Sequence, residues 1–134
     1  MKIFVSYRFT GEEPKELKHF IESTCNALEK TGCNFFCSYF SEEFFRQQNF
    51  SHKQILEYAF KEIDTSDCIL ALIKSGEKSE GMLLEIGYAI AKKKKFILAL
   101  KKGVKPFFLE EMAEKVIEFE GIEDLCYKLS KLKV

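Results

Sequence analysis

The chain has 134 residues, 46% of them hydrophobic and 31% charged, a balance that fits one globular domain spanning 1–134 and excludes a disordered chain. Its 21 lysines and arginines are matched by 21 aspartates and glutamates, which argues against a nucleic-acid-binding surface and leaves room for a local anion site. No apolar run approaches the roughly 20 residues that span a bilayer, and the short apolar stretch after Met1 reads as a strand rather than a signal peptide.

Ile3 to Ser6 reads as a short buried strand that opens into Tyr7-Arg8-Phe9-Thr10-Gly11. Pro14 suits the first turn of a helix, with Glu12, Glu13 and Glu16 complementing its dipole. Leu17, Phe20, Ile21, Thr24 and Leu28 continue at helical spacing until Gly32. Asn34 to Phe40 is aromatic and strand-like, and Ser41 to Ser51 reads as a polar and aromatic loop. His52 to Asp64 is an amphipathic helix. Asp67 introduces Cys-Ile-Leu-Ala-Leu-Ile, a continuous apolar run suited to a central parallel strand. Lys74 to Glu80 is a loop, Gly81 to Lys93 a helix and Phe96 to Leu100 another buried strand. A short helix near Phe108 to Ala113, a strand at Val116 to Phe119 and a helix from Gly121 to Leu132 complete the pattern. Strands and helices in alternation predict an α/β protein, a doubly wound three-layer sandwich on a five-stranded parallel sheet, flavodoxin-like or Rossmann-like.

Five cysteines, Cys25, Cys33, Cys37, Cys68 and Cys126, fall inside predicted elements. The odd number suggests reduced thiols in a cytoplasmic protein. Only His19 and His52 are available to join Cys33 and Cys37, so no metal site is expected. No glycine-rich dinucleotide fingerprint or P-loop is present, so hydride transfer and phosphoryl transfer are disfavoured, and no cofactor is expected.

In such a fold ligands bind beyond the carboxyl ends of the strands. That selects the loops Ser6 to Gly11, Phe40 to Ser51 and Lys74 to Gly81. Glu85 is the only charged residue between Gly81 and Ala91. A carboxylate among apolar neighbours is costly unless its desolvation is offset, and catalytic carboxylates sit in such pockets. Ser79 and Gly81 fall at a helix N-terminus that attracts anions, although Ser79 equally suits an N-cap. Arg8, with Ser6, Tyr7 and Gly11, suits a phosphate or carboxylate, or else a surface ion pair. Phe44 and Phe45, with Phe50, suit a cover over a flat base, or else core packing under the loop. The lysines at 92–95 complement a helix C-terminus.

The segments Ser66-Asp67-Cys-Ile-Leu-Ala-Leu-Ile and Ser79-Glu80-Gly81-Met-Leu-Leu-Glu85-Ile-Gly87-Tyr88-Ala89 resemble the nucleoside 2-deoxyribosyltransferase superfamily, which includes the 2'-deoxynucleoside 5'-phosphate N-hydrolases. The likeness continues through Lys95-Phe-Ile-Leu-Ala-Leu and the segment from Val116. It implies that Glu85 is a nucleophile at the anomeric carbon of a nucleotide or nucleoside. It also implies that Ser79 contacts a 5'-phosphate, which favours hydrolysis of a monophosphate. The family's acid–base aspartate would stand eight residues ahead of Asp67, where this chain has Ala59. The first loop is also poorer in glycine than in those hydrolases. A site shared between subunits is implied, hence a homodimer or a dimer of dimers; Lys101, Lys102 or Lys105 is the residue expected to reach a neighbour's phosphate, although none matches the family's serine or asparagine there. Ile-Phe-Val-Ser-Tyr-Arg also looks like the opening strand of TIR domains, some of which cleave NAD. The alternatives are thus a TIR-like NAD-cleaving or signalling module, or a nucleotide-binding module that lost its acid.

Overall fold

The computed structural model describes residues 1–9, 11–77, 79–106 and 108–132. Its strands are β1 (Lys2–Tyr7), β2 (Asn34–Cys37), β3 (Cys68–Ile73), β4 (Lys95–Lys101) and β5 (Lys115–Phe119). Its helices are α1 (Pro14–Lys30), α2 (Glu42–Gln47), α3 (His52–Asp64), α4 (Glu80–Ala91), α5 (Leu109–Met112) and α6 (Ile122–Ser130). All strand pairs are parallel and the order is β2-β1-β3-β4-β5. This is the doubly wound, flavodoxin-like sheet expected from the alternation, with its switch point between β1 and β3.

Strand alternation sorts the side chains into two cores. Ile3, Val5, Leu70 and Leu72 pack against α1 and α6, while Phe4, Ile69 and Ala71 pack against α3 and α4. Local chemistry fixes the ends of these elements. Pro14 occupies the first turn of α1, the Glu13 carboxylate accepts from the Glu16 N–H at 2.7 Å, and Gly32 leaves the helix at φ 83°. Ser51 and Gln54 close a reciprocal capping box on α3. The cysteines form no disulfide among the described residues.

The segment after β2 differs from the expected strand and loop. β2 stops at Cys37, the chain curls through a 3₁₀ turn at Ser38–Ser41, and α2 follows. Six residues are too few to nucleate a helix alone or to display a period. Packing holds α2 instead: Phe45 is buried, 5.3 Å from the Tyr58 ring of α3 and 5.7 Å from Phe50. Asn49, at φ 56°, turns the chain out of the helix.

Candidate active site

The switch point sets the site. In register, Ser6 lies beside Ala71 and Tyr7 beside Leu72, so the last residues of β1 face a neighbouring strand of small and aliphatic side chains. Ser6 shares the α4 face of the sheet with Phe4. Its side chain is fully buried, and its Oγ donates to Glu85 Oε1 at 2.7 Å. Glu85 rides in the second turn of α4, on the flank that looks toward β1. Burial pushes its carboxyl up to about 7, against the opposing hydrogen bond from Ser6. Near neutrality this group exists as both acid and carboxylate, the state expected of a reactive carboxyl rather than of a surface glutamate.

Tyr7 lies next to this pair. Its ring meets Tyr39 edge-on at 6.1 Å. Burial raises the phenol first, then the neighbouring Cys37, Glu42 and Glu85, with a hydrogen bond to Ser38 opposing them. Tyr7 therefore remains a neutral hydroxyl at physiological pH.

Arg8 is held among carboxylates. Its guanidinium pairs with Glu77 and lies 3.8 Å from Glu12, and Lys74 lies 3.5 Å from Glu12 and over the Phe20 ring at 4.6 Å. These pairs tie the β1–α1 loop to the β3–α4 loop. Gly11 lets them close: it sits at φ 83°, and a Cβ there would fall 2.6 Å from Arg8 Nη2. In the sequence Glu12 reads as a complement to the α1 dipole; its pairing with Arg8 and Lys74, and that of Glu77 with Arg8, come from the fold of the two loops. Thr10 lies outside the described residues.

Ser79 caps α4, accepting from the Met82 N–H at 3.3 Å, and Gly81 is exposed in the first turn. A cavity of about 430 Å³ opens beside this helix start, with Tyr7, Arg8, Lys74 and Ser79 at its polar end and Leu83 and Met112 among its apolar walls. Glu85 is not part of that wall, so the two flanks of α4 differ: one carries the carboxyl, the other the cavity.

A family model described as nucleoside 2-deoxyribosyltransferase matches residues 6–124. The chain belongs to that family. Membership makes it a relative of enzymes that act on the base–sugar bond of nucleosides or nucleotides. A CMP N-glycosidase from Clostridium botulinum, BcmB, superposes with a TM-score of 0.73 at 21% identity, covering 98% of this chain and all of that one. A 2-deoxyribosyltransferase from Bacillus psychrosaccharolyticus gives a TM-score of 0.69 at 16% identity, covering 99% of this chain and 93% of that one. At such identities these likenesses establish the fold. No curated protein matches the sequence.

Within the deoxyribosyltransferase segment the motif residues divide by job. Tyr88 fastens α4 to α3: its hydroxyl donates to Asp64 Oδ1 at 2.7 Å and its ring stacks on Phe60 at 4.2 Å. Asp67 secures the opposite, amino-terminal edge of the sheet, its Oδ2 accepting from the Lys2 N–H at 2.8 Å. Glu85 alone of the three meets the carboxyl end of β1, through Ser6. Ala59 is buried in the core between α3 and the sheet, so that position offers the site no acid. Phe45 is core packing against Tyr58 and Phe50, while Phe44 keeps 44% of its surface exposed beside them.

Proposed function

We propose that this chain cleaves the base–sugar bond of a nucleotide, a nucleoside 5'-monophosphate or its deoxy form, with Glu85 as the nucleophile. The observation that carries this reading is the Glu85 carboxyl at the switch point, hydrogen-bonded to buried Ser6 and raised to about 7. A Glu85 oxygen bonds to the anomeric carbon as the bond from that carbon to the base nitrogen breaks, and the electron pair leaves with the base. Water then attacks the same carbon and releases Glu85, or a second base does so and completes a transfer. Ser6 orients the carboxylate, and the neutral Tyr7 hydroxyl is a donor beside it.

The phosphate end is assigned to Arg8, with Ser79, Gly81 and the free N–H groups at the start of α4. Gly11 keeps the Arg8 loop tight. The half-exposed Phe44 supplies a face for the base, and Phe45 supports it from below. The protein is proposed to act as a homodimer or a dimer of dimers. Exposed Leu83, Phe108 and Met112 support this, since they line an apolar cavity that a second copy would cover, and exposed Leu84 follows Leu83 on α4. Lys101, Lys102 and Lys105 remain the candidates to reach a neighbour's phosphate.

Chromatography of free base released from nucleoside monophosphates, nucleosides and NAD tests the reading. Release from a monophosphate by wild type and not by Glu85→Gln supports it. Release from NAD alone would move the protein to a TIR-like activity, and binding without any release would make it a nucleotide-binding module.

A further inference from the structure

A base leaving a sugar carries away a bonding pair and requires a proton, and a positioned acid speeds that transfer by about 10²–10⁴-fold. Glu85 cannot supply it while it serves as nucleophile. The phenol of Tyr7 is held too firmly protonated to donate and recover a proton near neutrality. On α3, Ala59 is buried and carries no proton to give.

The unexpected helix α2 brings a second carboxyl to this end of the sheet. Glu42 is its first residue, directly after the 3₁₀ turn that carries Tyr39. Tyr39 packs on Tyr7, and Tyr7 follows Ser6, which holds Glu85. Residues three apart share one face of a helix, so Glu42 lies on the same stripe as buried Phe45, the residue that rests on Tyr58. Glu42 is half-buried whereas its neighbour Glu43 is exposed. It makes no hydrogen bond or ion pair among the described residues. Burial raises its carboxyl above the usual range, with Arg46 opposing. Glu42 and Glu85 both raise the Tyr7 phenol by their charge, so both carboxyls lie within reach of it.

We infer that Glu42 is the acid–base residue of this site, giving its proton to the departing base and later taking one from the attacking water. In the first step the Glu85 oxygen bonds to the anomeric carbon, the carbon–nitrogen bond breaks, and the Glu42 proton moves to the base nitrogen. In the second, Glu42 removes a proton from water as the water oxygen displaces Glu85, which restores both groups. This inference rests on the N-glycosidase reading.

The test compares two leaving bases in the first turnover, before water attack limits the rate. One substrate is an ordinary nucleoside monophosphate. The other carries a ring-nitrogen methyl group (N7 in purines, N3 in cytosine), so its base is already cationic and departs neutral without a proton. Glu42→Gln is expected to slow first-turnover release of the ordinary base about 100-fold or more and to leave release of the methylated base within about threefold. With the methylated substrate the glycosyl ester on Glu85 should then accumulate and be visible in the intact protein mass. Glu42→Asp should recover part of the lost rate. Equal slowing on both substrates, or none on either, would overturn the role of Glu42 while leaving Glu85 in place. No release by wild type from either substrate would overturn the glycosidase reading itself.

Discussion

Glu85 is half-ionised near neutrality, and its nucleophilic form is the carboxylate. On the ring-methylated substrate, whose base leaves without a proton, the rate of base release should therefore rise with pH through about 7. Ser6→Ala removes a hydrogen bond that favours the charged form, so the rising limb should move upward by about one pH unit, read from a pH–rate profile of the variant. Stability should move the opposite way to activity. The folded carboxyl titrates at about 7 and the unfolded one at 4.5. Between those values the native state keeps a proton that the unfolded chain has released, so stability is lost as pH rises through the folded value. The loss is at most about 3 kcal/mol, reduced where the open edge of the carboxylate meets solvent. Glu85→Gln should thus melt above wild type at pH 8 and close to it at pH 4.5, measured by circular dichroism. Glu85 stood out in the sequence because it is a lone charge in an apolar segment. Its partner Ser6 reads in the sequence as a companion of Arg8 at an anion site, since the pairing of residues 79 apart comes from the placing of α4 over β1.

At the scale of elements, the two loops above the sheet are joined by ion pairs rather than left open for an anion. Glu77 sits on the Arg8 guanidinium that the proposed reading assigns to phosphate. A bound monophosphate has to displace it. Glu77→Gln should then lower KM for a monophosphate by about two- to fivefold, with KM for the corresponding nucleoside unchanged, because an exposed ion pair is worth about 1 kcal/mol or less. The long elements were legible because their apolar spacing runs over many residues: α1 and α3 as stripes, β3 and β4 as continuous runs. The helix α2 was not, because six residues with two adjacent phenylalanines read equally well as an aromatic loop. Its existence depends on Tyr58, which comes from α3. Arg8 was legible as a phosphate or ion-pair residue, but the choice of Glu77 as partner depends on how the β3–α4 loop folds back.

For the whole molecule, the parallel five-stranded sheet and its switch point followed from the alternation of elements, and family membership agrees with the motif around Glu85. The proposed assembly has one sign in the sequence besides the family resemblance, a helix at 81–91 whose only charge is Glu85. In the structure that apolar surplus becomes exposed Leu83 and Leu84 on α4, and Leu83 shares a cavity wall with exposed Phe108 and Met112. Sedimentation should give about twice the 15.6 kDa chain mass or a multiple of that. Leu83→Arg, which puts an unpaired charge into the patch, should yield the single-chain mass with its circular dichroism spectrum preserved.

The central claim is that Glu85 breaks a base–sugar bond. The direct measurement is free base released from a panel of nucleoside monophosphates, with wild type beside Glu85→Gln, after both are shown to be folded. Release by wild type and a loss of at least about 1,000-fold in the variant are predicted. Equal release by the two proteins would contradict the account.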